Sequence, residues 1–362
     1  MTYRMEMQFI RWFGHKRVFG LPEAELRRWL AHSVGRRPVG VPRPIRASHT
    51  VRDQRIEGRP CPIVSPRAGA SRAMRVARAP QLVRAAGAMQ STRIAGATQA
   101  TEDRGPSLVP PASPTIAGGP PAAGSSARPA DAPVVLFLHG GGFLFEALFA
   151  HWVAVDRLVR ETGAEVWFAA YPLLPQATLY EAHDMVLATW QRMCERHDPA
   201  RIAVLGDSAG ATLALTLTHA LRAAGRPLPR QLVLASPAQS LFEPHIRAQM
   251  AAFAPLDVMI PLSLFDVLAR LMPERPGTAP WMLRPLEGDF SGFPQTMVLS
   301  GTHEVLYPLM PDFLERLAAA RVPTEFVSGE GMCHVWPYIP AAPECVRTLG
   351  HMIAALADGP SA

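Results

Sequence analysis

Short apolar runs alternate with longer amphipathic stretches over the last two thirds of the chain. Residues 134–138, 165–169, 202–205, 231–235, 296–300 and 324–327 are strand-length segments built on apolar residues, with polar residues at the ends of all but 134–138 and 202–205. The stretches 144–162, 179–195, 209–224, 310–320 and 345–357 carry apolar residues at helical spacing. Gly163 and Gly225 close two of those stretches, as glycine does at helix C-termini. Strand and helix in strict alternation predict an α/β chain, with a mostly parallel central sheet and helices on both faces. The alternation stops between Pro237 and Phe290, where residues 241–272 are rich in Leu, Met, Phe and Ala. That segment reads as a helical insertion of the kind that forms a lid.

The first third is patterned differently. Residues 1–35 read as two short amphipathic helices, marked by Met7, Ile10, Trp12 and Phe13 and then by Leu26, Trp29 and Leu30. Residues 1–47 are accordingly expected to contribute to a cap, and residues 48–65 to hold two strand-like pieces around a Glu57-Gly58 turn. Residues 66–132 have no sustained period and are rich in Ala, Arg, Pro, Gly and Ser. They read as a disordered low-complexity insertion. The catalytic core is expected over residues 133–357.

Charge follows the same division. Residues 1–132 hold 21 Lys and Arg against 8 Asp and Glu, whereas residues 133–362 hold 15 against 22. A basic third invites comparison with nucleic-acid-binding proteins. Yet no aromatic residue lies among the arginines between Arg52 and Arg128, so bases would find no stacking platform, and no nucleic-acid partner is expected. The four cysteines show neither C-x-x-C nor zinc spacing, so no metal is expected. No apolar run approaches the roughly 18–20 residues that span a bilayer, and the N-terminus lacks the apolar core of a signal peptide. A cytoplasmic protein without stable membrane insertion is the resulting expectation; oligomeric state stays open, a homodimer included.

Chemistry enters at Gly206-Asp207-Ser208-Ala209-Gly210, which follows a strand and precedes a helix. Strand, G-x-S-x-G, helix is the setting of a nucleophile elbow, in which a sharp turn lifts the serine hydroxyl off the strand end. A glycine-lined turn with a capping serine is the plainer alternative. Upstream, His139-Gly140-Gly141-Gly142 ends another strand. Successive glycines let backbone N–H groups turn toward a developing oxyanion, and with the Ala209 N–H they make a three-donor hole. A serine nucleophile needs a base and an orienting acid. His334, in the loop after the last strand, is placed at the same sheet edge as Ser208. Glu304 follows the strand 296–300 and is favoured as the acid; its competitor Asp312 falls within the next helix.

These pieces resemble the hormone-sensitive-lipase-like family of α/β-hydrolases, in its bacterial carboxylesterase branch. The resemblance rests on His139-Gly140-Gly141-Gly142-Phe143, Tyr171-Pro172-Leu173-Leu174-Pro175, the pentapeptide 206–210, Gly301-Thr302-His303-Glu304-Val305-Leu306 and Glu330-Gly331-Met332-Cys333-His334-Val335-Trp336-Pro337. It implies an α/β-hydrolase fold with a helical cap and no cofactor. Ser208 would be the nucleophile, His334 the base, Glu304 the acid and Gly141, Gly142 and Ala209 the oxyanion donors, acting on a small-molecule ester, for which the apolar lid segment 241–272 suggests short-to-medium acyl chains. A lactone or acetyl-ester hydrolase with the same machinery is the near alternative, and a non-catalytic small-molecule receptor the distant one. The chain departs from the family at Ala238-Gln239-Ser240, where an Asp is usual, at Pro308, where an acidic residue is common, and through the insertion 66–132.

Overall fold

A computed structural model describes residues 40–67, 91–94, 132–239, 244–339 and 342–358, with single helical positions at Glu25 and Arg28. The expected cap helices of residues 1–35 otherwise lie outside the described residues, as does most of the segment 66–132.

The described chain opens with a short helix, α1 (Arg43–Ser48), and four short strands, β1 (Thr50–Arg52), β2 (Arg55–Ile56), β3 (Arg59–Pro60) and β4 (Ile63–Ser65). Glu57 and Gly58, both at positive φ, make the β2–β3 turn, as the sequence suggests. A further strand, β5 (Ser91–Ile94), pairs antiparallel to the last strand of the sheet from within the segment read as low-complexity.

Regular alternation follows. The order is β6 (Val134–Leu138), α2 (Phe149–Thr162), β7 (Glu165–Ala169), α3 (Leu179–Cys194), β8 (Ile202–Asp207), α4 (Ala209–Ala223) and β9 (Gln231–Ala235). Then come α5 (Pro244–Phe253), α6 (Ser263–Leu271), β10 (Gln295–Gly301), α7 (Met310–Ala319), β11 (Thr324–Gly329) and α8 (Pro343–Asp358). The sheet has the strand order β1-β4-β7-β6-β8-β9-β10-β11-β5. All pairings from β7 to β11 are parallel, and those of β1, β4 and β5 are antiparallel.

Topology distributes the helices. The connection β6–α2–β7 moves one way across the sheet, whereas β7–α3–β8, β8–α4–β9 and β10–α7–β11 move the other. Right-handed crossovers therefore put α2 on one face and α3, α4 and α7 on the opposite face; α8 packs against α2. With both faces covered, β6, β7, β8 and β9 are buried at every residue, which is why they read as nearly continuous apolar runs, broken only at the ends by Glu165, Asp207 and Gln231. Capping fixes the helix ends in turn. The Thr178 hydroxyl accepts the Glu181 N–H at the start of α3 while the Glu181 carboxylate accepts the Thr178 N–H, a reciprocal capping box.

Most boundaries in this alternating region fall within two residues of the sequence expectation, and one differs by five. Helix α2 begins at Phe149 rather than at residue 144. The backbone first coils tightly after the glycines, with the Gly141 carbonyl accepting the N–H groups of both Leu144 and Phe145 (3.1 and 3.0 Å).

Candidate active site

The elbow is built as its residues require. Ser208 lies between the end of β8 and the start of α4 with φ 50° and ψ −119°, a strained conformation for a residue with a side chain. Its N–H is held by the Ala235 carbonyl at 2.8 Å. The turn is so tight that a Cβ on Gly210 would lie 2.0 Å from the Leu138 carbonyl oxygen, and one on Gly206 2.6 Å from the Gly210 carbonyl oxygen. Both are backbone atoms, so replacing Gly210 must move the end of β6 and replacing Gly206 the first turn of α4. Ser208 is half-buried where its neighbours in the pentapeptide are buried.

The glycine loop lies alongside. Gly141 and Gly142 have φ of 122° and 59°, and a Cβ on Gly140 would meet the Asp207 carboxylate at 2.1 Å. Ala209, the first residue of α4, has an N–H that no carbonyl of its own helix can reach. Beneath the loop the His139 ring stacks on Tyr171 with centroids 4.5 Å apart, and the Tyr171 hydroxyl donates to the His139 carbonyl at 2.6 Å. Burial pushes the His139 pKa down to about 4, so this ring is a neutral structural plate. Asp207 is also buried, with His151 at 3.3 Å. The Leu148 N–H donates to His151 Nδ1 (2.8 Å), which leaves Nε2 to carry the proton toward Asp207.

The acid and histidine loops meet each other at the ends of β10 and β11. His334 Nδ1 donates to Glu304 Oε2 at 2.5 Å. The other oxygen, Oε1, accepts the Gly301 N–H at 2.9 Å and the Ser300 hydroxyl. Both residues are buried. With the proton on Nδ1, Nε2 is the ring's free acceptor, the state a general base needs. Burial by itself would lower the His334 pKa. The Glu304 hydrogen bond and the charges of Glu304, Asp257 and Asp207 outweigh it, and the pKa is raised. The loops clasp through the backbone as well: His303 N–H to Met332 carbonyl at 3.0 Å and Thr302 N–H to Gly329 carbonyl at 2.9 Å. A Cβ on Gly301 would lie 2.2 Å from the Met332 carbonyl oxygen. Asp312, by contrast, is exposed in the first turn of α7. Cys333, beside His334, is kept as a neutral thiol, because burial pushes its pKa up to about 12.

The tip of β9 joins the two halves. Ala235 accepts the Ser208 N–H, and the next residue, Ser236, accepts the Val335 N–H at its hydroxyl (3.0 Å). Ser236 and Val335 both have φ of 49° and Phe143 59°. Four of the six described non-glycine residues at positive φ thus lie in these loops, and for β-branched Val335 that conformation is an outlier. Two features of the site escape sequence reasoning, the Ser236–Val335 bond and the buried Asp207–His151 pair. At the first departure from the family pattern, Gln239 is buried with its amide 3.9 Å from the Met310 sulfur.

Residues 135–338 match the family described by the alpha/beta hydrolase fold. The chain belongs to that family. It is 31% identical over 230 residues to an acetyl-hydrolase of Streptomyces hygroscopicus, covering 61% of this chain and 75% of the relative. It is 32% identical over 238 residues to the esterase LipU of Mycobacterium tuberculosis, covering 62% of this chain and 78% of the relative. Among solved structures, an esterase from the bacterial hormone-sensitive lipase family superposes with a TM-score of 0.65 at 20% identity, over 99% of each chain. The likeness to hormone-sensitive-lipase-like α/β-hydrolases drawn from the five sequence motifs therefore holds. Among the described residues of this hydrolase, no helix is long and apolar enough to cross a membrane, and no cluster of three metal-ligating side chains occurs.

Proposed function

We propose that this hydrolase is a serine carboxylesterase working through Ser208, His334 and Glu304. It acts on carboxylic esters, as its relatives' names indicate for them. The observation that carries the assignment of roles is the Glu304–His334–β9–Ser208 connection. The acid orients the ring through Nδ1, and the tip of β9 holds the histidine loop and the elbow as neighbours. His334 takes the Ser208 proton as the hydroxyl attacks the ester carbonyl, and Glu304 stabilises the imidazolium that forms. The N–H groups of Gly141, Gly142 and Ala209 receive the tetrahedral oxyanion. His334 then protonates the leaving alkoxide, and water activated by the same ring releases the acid. The raised His334 pKa suits the first transfer, since a more basic ring accepts the serine proton more readily.

Leu264 of α6 packs over Gly142, 3.7 Å from where its Cβ would stand. This apolar cover on the glycine loop favours substrates with short-to-medium acyl chains. The test is hydrolysis of a p-nitrophenyl ester series by the full chain and by Ser208→Ala. The variant is expected to lose roughly 10⁴–10⁶-fold in kcat, and unchanged turnover would overturn the assignment. Acetyl esters alone as substrates would favour the acetyl-hydrolase reading that the Streptomyces relative suggests.

A further inference from the structure

Among the described residues two large apolar side chains stand exposed, Leu256 at 44% and Val258 at 62%, and the carboxylate between them, Asp257, is 1% exposed. The turn after α5 thus puts its polar group inside and its apolar groups outside, the reverse of what solvation favours. The buried carboxylate is compensated by backbone donors. Asp257 Oδ1 accepts the N–H groups of Met259 (2.7 Å) and Ile260 (2.8 Å), and Oδ2 accepts the N–H of Val305 (2.9 Å). The first two bonds make a local turn, which an Asp can make in solvent without being buried. The third spans 48 residues and ends on the residue after Glu304.

Glu304 is therefore gripped from both sides. Ser300 and Gly301 fix its carboxylate from the β10 side, and Asp257 fixes the following peptide from the helical insertion. The geometry points to Asp257 as a positioning residue for the proposed ester hydrolysis, holding the Glu304 loop in register with His334 and making the α5–α6 insertion a structural support of the acid–base pair. The inference rests on the assignment of His334 and Glu304 as that pair.

Charge adds a signature that a purely structural role would lack. The carboxylates that face His334 are Glu304 from the β10–α7 loop, Asp257 from the insertion and Asp207 from the end of β8. The adjacent Cys333 is a neutral thiol. Removing the Asp257 charge leaves the imidazolium less stabilised, so the ring stays neutral to lower pH.

The test compares Asp257→Asn, Asp257→Ser and Asp266→Asn in the full chain. Asn keeps the shape but has one acceptor oxygen for two sets of donors. Ser can cap the local turn but cannot reach Val305. Asp266, exposed on α6 and paired with Arg247, is the control. Both Asp257 variants are expected to lower kcat on a short p-nitrophenyl ester about 10- to 100-fold with KM within about twofold. The acid limb of kcat/KM should move to lower pH, and Asp266→Asn should change neither. Should Asp257→Asn fail to fold, Asp257→Ser carries the comparison. Wild-type kcat with an unmoved acid limb overturns the inference, as does a loss confined to KM or to thermal stability. Proton NMR of the His334 Nδ1–H separates this inference from the reaction itself. A downfield resonance displaced in Asp257→Asn supports positioning even if the wild type hydrolyses no ester, and an unchanged resonance overturns it.

Discussion

Two pairs of loops meet at the C-terminal edge of the sheet, and they are held in different proportions by the same two means; Gly301, whose Cβ would lie 2.2 Å from the Met332 carbonyl oxygen, is the steric point of the second pair. The elbow and the glycine loop are defined by missing side chains. Cβ atoms at Gly206 and Gly210 would strike backbone, and one at Gly140 would strike a carboxylate. The acid and histidine loops are defined largely by side chains that bond backbone: Ser236 to Val335 and Asp257 to Val305 across long sequence distances, and Glu304 to Gly301 locally. Steric definition is all-or-none, because a methyl group either fits or displaces a strand. Hydrogen-bonded definition is graded, because each bond is worth about 1 kcal/mol net and its loss lets the loop drift. Damage to the first pair should therefore act on folding, and damage to the second on rate.

The sharpest break of this contrast is Gly210→Ala. Its methyl group must displace the end of β6, and we expect a loss of about 3 kcal/mol or more, with soluble active protein sharply reduced. A chemical-denaturation midpoint equal to wild type would sink the steric account. Next is Glu304→Gln, which should fold with near-normal stability yet lose roughly 10³–10⁴-fold in kcat, because the wrong tautomer of His334 is no longer disfavoured. Equal losses on replacing Asp312 would shift the acid role to that residue.

The pH profile refines the same comparison. The His334 pKa is raised above its ordinary 6.5, and the ring must be neutral to act as base. Activity should accordingly fall as pH drops through a value above 6.5 in the wild type, and through a lower one in Glu304→Gln, where burial is less opposed. An acid limb below 6.5 in the wild type would contradict the carboxylate arrangement. A smaller effect is expected at Ser236→Ala, about tenfold in kcat with about 1 kcal/mol lost in stability, since one bond to the Val335 loop is removed. The smallest is at Asp312→Asn, which should leave kcat within about twofold because an exposed carboxylate on α7 touches none of these loops.

The same contrast decides what can be read from sequence. Glycine writes its steric role into the chain, so the elbow and the 140–142 loop are legible by inspection. The buried strands are legible because both of their faces are covered, and they carry apolar residues over most of their length. Glu304 is legible by its place after β10 and within a family-like segment. Ser236 and Asp257 are not, because their partners lie 99 and 48 residues away and no local pattern announces a bond of that kind. Strand β5 escapes for another reason: Ser91-Thr92-Arg93-Ile94 is too short for a period, and its pairing comes from the exposed edge of β11.

The tip of β9 has a further consequence. Residues 235 and 236 each anchor one partner of the proposed proton transfer, the first through the elbow and the second through the loop after His334. Thermal motion of that strand end then carries donor and acceptor in the same direction, like two instruments bolted to one bench. The bench can vibrate while the gap between them stays constant.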